Sequence, residues 1–101
     1  MFLCFNDLMI MFQLLKQSKK SHARFGLLTT PHGKIEAPFF MSIATKGSVK
    51  ALATEDLKNL GADIILANTY HLYLQPGLEV LKKFGSLHKF MSWDGPILTD
   101  S

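Results

Sequence analysis

The sequence predicts an α/β fold in which N-terminal antiparallel hairpin strands precede β/α units of a parallel sheet. Three observations predict it. Between residues 12 and 43, apolar runs alternate with turn signals at hairpin spacing. From Ala37 onward the order is strand, helix, strand, helix, strand, a βαβαβ pattern that argues parallel strands with right-handed crossovers. Finally, Asp63-Ile64-Ile65-Leu66-Ala67 and Pro96-Ile97-Leu98 are continuous apolar runs, as in strands buried on both faces, and each opens onto polar residues.

The elements follow in order. Phe12 to Lys16 reads as a strand, and Gln17-Ser18-Lys19-Lys20-Ser21 as a basic turn region. Ala23 to Thr30 is a second strand, and Pro31-His32-Gly33 is a tight turn in which Gly33 supplies a positive φ. Lys34 to Ile43 reads as one third strand, with Pro38 placed where a missing N–H is tolerated. Thr54 is the expected N-cap of a first helix. Glu55 and Asp56 in its first turn favour the helix dipole, Leu57 and Leu60 share a face, and Gly61 ends it. Asp63 to Ala67 is a buried strand. Pro76-Gly77 opens a second helix that runs through Leu78, Val80, Leu81 and Phe84 to Gly85. A short helical turn over Leu87 to Met91 precedes the last strand.

Composition bounds the function. At 101 residues there is room for one small domain, and 48% hydrophobic with 19% charged residues is ordinary for a globular chain. A formal charge of +3 and a pI near 9.1 permit a nucleic-acid partner without requiring one. The single Cys4 rules out an internal disulfide and a multi-thiolate zinc site, and His22, His32, His71 and His88 show no i, i+4 pairing. A reducing cytoplasm is the expected location. The opening run MFLCFNDLMIMFQLL is interrupted by Asn6 and Asp7 and has no basic residue before it. It is also shorter than the roughly 20 residues that span a bilayer. Residues 1–10 are therefore read as an upstream extension with Met11 the working start, and no membrane partner is expected.

In α/β enzymes the carboxyl ends of the strands carry function, which singles out Thr45, Asn68, Thr69 and Asp100. A doubly wound sheet and a (β/α)₈ barrel share this opening. The Rossmann form of the first is weakened because no G-x-G-x-x-G follows the first strand.

At these residues the chain resembles a known family. Ala62-Asp63-Ile64-Ile65-Leu66-Ala67-Asn68-Thr69-Tyr70-His71-Leu72, Pro76-Gly77 and Phe90-Met91-x-Trp93-Asp94-x-Pro96-Ile97-Leu98-Thr99-Asp100-Ser101 look like the N-terminal part of tRNA-guanine transglycosylase, also called queuine tRNA-ribosyltransferase. Arg24-x-Gly26, Thr30-Pro31-His32-Gly33, Pro38-x-Phe40-Met41 and Thr45-x-Gly47-x-Val49-Lys50 support the likeness, which covers about Phe12 to Ser101. One stretch departs from it: the family's Met-Pro-Val-Gly stands here as Met41-Ser42-Ile43-Ala44.

The resemblance implies the first β/α units of a (β/α)₈ TIM-type barrel, truncated, with residues 11–101 as the N-terminal portion of that domain. It implies exchange of guanine at the tRNA wobble position for a 7-deazaguanine, queuine or its precursor, in queuosine biosynthesis. In that chemistry the base is flipped out and an aspartate attacks the ribose anomeric carbon to give a covalent tRNA intermediate. Asp100 would be the second aspartate, the proton acceptor that holds the purine edge. Ser101 would bind the base, while Asn68 and Thr69 would hydrogen-bond the aspartate and shape the pocket. The nucleophile, a Zn²⁺ site of three cysteines and one histidine, and the homodimer contacts would belong to segments beyond Ser101, so this chain alone is expected to be inactive.

The chemistry is sound without the family: a departing purine needs a proton, and a carboxyl group at its edge can supply or hold one. Blander readings stand beside it. His71 reads as structural between packing residues Tyr70 and Leu72, Trp93 as turn and core, and the run Lys16, Lys19, Lys20, His22, Arg24 as a solvated hairpin face. Two other functions stay open: a non-catalytic tRNA-binding accessory module, and the start of an unrelated barrel enzyme.

Overall fold

The computed structural model describes residues 10–101, and the expectation for residues 1–10 lies, apart from Ile10, outside them. Two sheets result. The first is antiparallel, ordered β1 (Met11–Gln17), β2 (Arg24–Thr30), β3 (Gly33–Ala37). Serine side chains shape the β1–β2 connection, where the Oγ of Ser18 and Ser21 accept the Lys20 and Ala23 amides. The β2–β3 turn is two residues long and closes on Thr30, whose hydroxyl donates to the Gly33 carbonyl (2.9 Å) and accepts the His32 N–H (3.2 Å). That double use explains how a polar side chain can be buried there. Gly33 has the expected positive φ, +138°.

The second sheet is parallel, ordered β4 (Ser42–Ile43), β5 (Ile65–Asn68), β6 (Ile97–Asp100). Ser42 pairs with Ile65 and Ile65 with Ile97, so the parallel reading of residues 37–101 agrees with the observed register. The single strand expected over Lys34–Ile43 is instead two, β3 and β4, in different sheets. Pro38 follows the last β3 residue and has no N–H to donate, so the ladder stops at Ala37 and the chain crosses to the other sheet.

Between β4 and β5 runs α1 (Thr54–Asn59); between β5 and β6 lie α2 (Thr69–Leu74), α3 (Leu78–Phe84) and α4 (Leu87–Met91). Thr54 is not the N-cap of α1. That position is Ala53, whose N–H is accepted by the Asp56 carboxylate at 2.8 Å, while the Thr54 hydroxyl donates to the Met91 carbonyl and ties α1 to the end of α4. The C-terminus of α1 behaves as expected. Gly61 at φ +80° donates to the Lys58 carbonyl and Ala62 to the Leu57 carbonyl, the paired bonds of a Schellman motif. Gly85 ends α3 in the left-handed conformation, and the Ser86 hydroxyl caps α4 by accepting the Lys89 N–H. The helix α2 is an element beyond those the sequence predicts.

The core of the parallel unit gathers Ala44, Leu57, Ile65, Met91 and Trp93. Ala44 is fully buried, and its N–H bonds the Leu66 carbonyl at 2.6 Å, so only a very small side chain fits beside β5. Among the described residues no helix is long and apolar enough to cross a membrane.

Candidate active site

In a parallel sheet every strand ends on the same side, so residues that close adjacent strands meet. Asn68 is the last residue of β5 and Asp100 the last of β6, and the two are register partners. Neighbouring strands lie about 4.8 Å apart, which sets the scale of their separation. Thr69 follows as the first residue of α2 and Ser101 follows Asp100.

A cleft of about 550 Å³ opens at this edge, lined by Leu66, Thr69, Leu98, Thr99, Asp100 and Ser101. Its lining combines two leucines with one carboxylate and three hydroxyl-bearing residues. The Asp100 side chain is exposed, and its Oδ1 accepts the Ser101 N–H at 2.8 Å. One carboxylate oxygen is thereby fixed by the backbone, an arrangement suited to holding the polar edge of a planar base beside apolar walls.

The structure brings Thr69, Asp100 and Ser101 into one cleft and gives Asn68 a different task. The Asn68 Oδ1 accepts the His71 N–H at 3.0 Å, which makes Asn68 the N-cap of α2. The bond expected from Asn68 to the Asp100 carboxylate would be donated by the Asn68 Nδ2, and it does not form among the described residues, while Oδ1 is committed to the helix. Asparagine directly after an apolar strand is itself a helix-start signal, and it was the available clue to α2. His71 contributes that backbone N–H, and its exposed ring meets Tyr70 edge-on at 5.7 Å. Leu72 is buried as a packing residue should be, but Tyr70 is exposed.

Thr45 is separate from this cleft. It lines a larger groove of about 990 Å³ along the outer side of β4, with Phe39, Phe40, Ile43, Leu52 and Leu60. The basic residues Lys16, Lys19, Lys20, His22 and Arg24 are all exposed, as a solvated hairpin face requires. Among the described residues no three His, Cys, Asp or Glu side chains gather as a metal site, so the zinc implied by resemblance has no matching ligand set here.

Capping gives a first test. Asn68→Ala is expected to cost about 0.5–2 kcal/mol, the usual loss of an N-cap side chain. Because α2 is a single short helix, the loss should concentrate there, as faster amide exchange at His71 and the following turn. Unchanged His71 protection in the variant would contradict the capping role.

A family model described as queuine tRNA-ribosyltransferase matches residues 18–101. Among curated relatives of that name, the protein from Desulforudis audaxviator is 55% identical over 92 residues, 91% of this chain and 25% of that protein. The relative from Halalkalibacterium halodurans is also 55% identical over 92 residues, and that from Staphylococcus epidermidis 54%, each with 91% of this chain and 24% of the relative covered. The chain spans about a quarter of the length of the curated relatives it matches.

Proposed function

The chain belongs to the queuine tRNA-ribosyltransferase family, and from that membership we propose that its residues serve guanine exchange at the wobble position of tRNA, with a 7-deazaguanine as the incoming base. The observation that carries the reading is the meeting of Thr69, Asp100 and Ser101 in one cleft at the carboxyl ends of two adjacent parallel strands.

In this reading the roles are those the family resemblance implies. Asp100 holds the purine edge and takes up the proton that moves as the base departs or enters. The Ser101 N–H bond to Oδ1 orients the carboxylate and leaves Oδ2 for the base, and the Ser101 hydroxyl adds a second polar contact. Thr69, which lines the same cleft, adds a further hydroxyl. Asn68 acts at one remove: by capping α2 it fixes the turn on which Thr69 sits.

In this reading β4, β5 and β6 are the first strands of a (β/α)₈ barrel. Exposed Phe40, Ile43 and Leu60 along the outer side of β4 support further packing there. The zinc of the family finds no matching ligand set among the residues described here. The tRNA substrate places the work in the cytoplasm, and a homodimer is the expected assembly of the complete enzyme.

A chimera tests the proposal. Residues 10–101 would replace the matching segment of the Desulforudis audaxviator relative, and the product would be incubated with labelled guanine and cognate tRNA. Label should enter the tRNA. A folded chimera that incorporates no more label than the no-enzyme blank, beside an active parent, would overturn the proposal.

A further inference from the structure

The hairpin sheet meets helix α4 at a point that the proposed chemistry does not use. The β2–β3 turn carries His32, and α4 carries His88. Their rings stack with centroids 3.7 Å apart and planes inclined by 19°. Both lie far along the sequence from each other, so the stack is a tertiary contact between the hairpin sheet and the parallel unit. His88 is half-buried, and its Nε2 lies 2.8 Å from the Gly95 carbonyl in the loop that leads into β6.

We propose that the His32–His88 stack is a pH-sensitive latch, closed while the rings are neutral, that holds the β2–β3 turn against the corner between α4 and β6 and releases it when both are protonated. Face-to-face stacking suits neutral rings. Two imidazolium ions at this separation repel, and half-burial of one of them weakens the screening that water provides.

The surrounding charges do not cancel this effect. Beside the stack is a cleft lined by Lys34 at the start of β3, Lys58 of α1, Asp63 before β5, and Asp94 of the loop after α4. Asp94 favours a charged His88, but it is engaged by Lys58 at 3.2 Å. The Gly95 carbonyl also favours the charged ring. Burial outweighs these influences and, with His32 adding to it, holds the His88 pKa below the ordinary histidine value. A group whose pKa is lowered in the folded state stabilises that state above its unfolded pKa, near 6.5, and the stability is lost as pH falls through the folded value. The latch therefore opens on the acid side of neutrality.

Hydrogen–deuterium exchange on the full chain tests this, comparing about pH 7.5 with about pH 5.5 after correction for intrinsic rates, the range in which histidine titrates. Peptides covering residues 28–36 and 86–95 should lose protection at the lower pH. Peptides from β5 should hold theirs. In His32→Gln and in His88→Gln the pH response of residues 28–36 should vanish, because one charge of the pair can no longer form. His22→Gln, on an exposed loop, should respond like the parent. If one stack variant fails to fold, the other decides. A parent without the pH response, a response preserved in the stack variants, or an equal loss in β5 that marks general acid unfolding would each overturn the latch.

Discussion

Asp100→Asn, introduced into the active chimera, is expected to lower guanine exchange by about two to four orders of magnitude, the range supplied by a positioned proton-transfer group. Asparagine has the shape of aspartate and keeps an Oδ1 that can accept the Ser101 N–H, so the local backbone bond survives. What it loses is the ability to take a proton. Binding of the base should weaken less than turnover slows, because the amide still hydrogen-bonds a purine edge. Since Asp100 is exposed, stability should change by no more than about 0.5 kcal/mol. Initial rates of label incorporation at several base concentrations would separate kcat from KM. Retention of exchange within about tenfold of the parent, only 1.4 kcal/mol of barrier, would remove Asp100 from the proton-transfer role.

The strand-end residues were legible because a parallel strand leaves a simple mark: an unbroken apolar run that turns polar where it emerges. Asn68 and Asp100 carry that mark and prove to be register partners. Local stop signals were equally legible. Gly33, Gly61 and Gly85 all adopt positive φ at the turn or helix end assigned to them. The order of the parallel strands followed from the alternation of strand and helix, which needs no knowledge of side-chain contacts.

What could not be read depended on partners distant in sequence. Pro38 is compatible with a strand that continues and with one that ends, and the choice depends on which sheet the next residues join. Thr54 has the side chain of an N-cap, but the Met91 carbonyl competes for its hydroxyl, and Asp56 closes the helix start from the other direction. Asn68 looks like a pocket residue in a strand and becomes a cap once α2 is known. The His32–His88 contact joins residues of opposite halves of the chain and leaves no sequence signature at all.

Trp93→Ala should be the most destabilising single truncation of this core. Trp93 is 4% exposed and packs among Ala44, Leu57, Ile65 and Met91, the cluster on which α1, β5 and α4 converge. Its backbone N–H bonds the His88 carbonyl at the end of α4, and its indole Nε1 donates to the Pro96 carbonyl at 3.0 Å, just before β6. The side chain thus braces the loop that aims β6, and through it Asp100. Truncation should cost about 3–5 kcal/mol, the range for large aromatics in cores. A total of about 5–15 kcal/mol is typical of whole domains, so the loss is a large share. Most of it is the cavity, because the Pro96 carbonyl keeps a second donor in the Ile65 N–H at 3.3 Å. Trp93→Phe removes the indole bond with a much smaller loss of ring volume than the alanine variant, so it should cost about 1–2 kcal/mol. Urea titration followed by far-UV circular dichroism would measure both. If Trp93→Ala shifts stability by less than about 1 kcal/mol, no more than a typical substitution, Trp93 is not the keystone of this core, and the positioning of β6 must rest on Ile65 and Met91 instead.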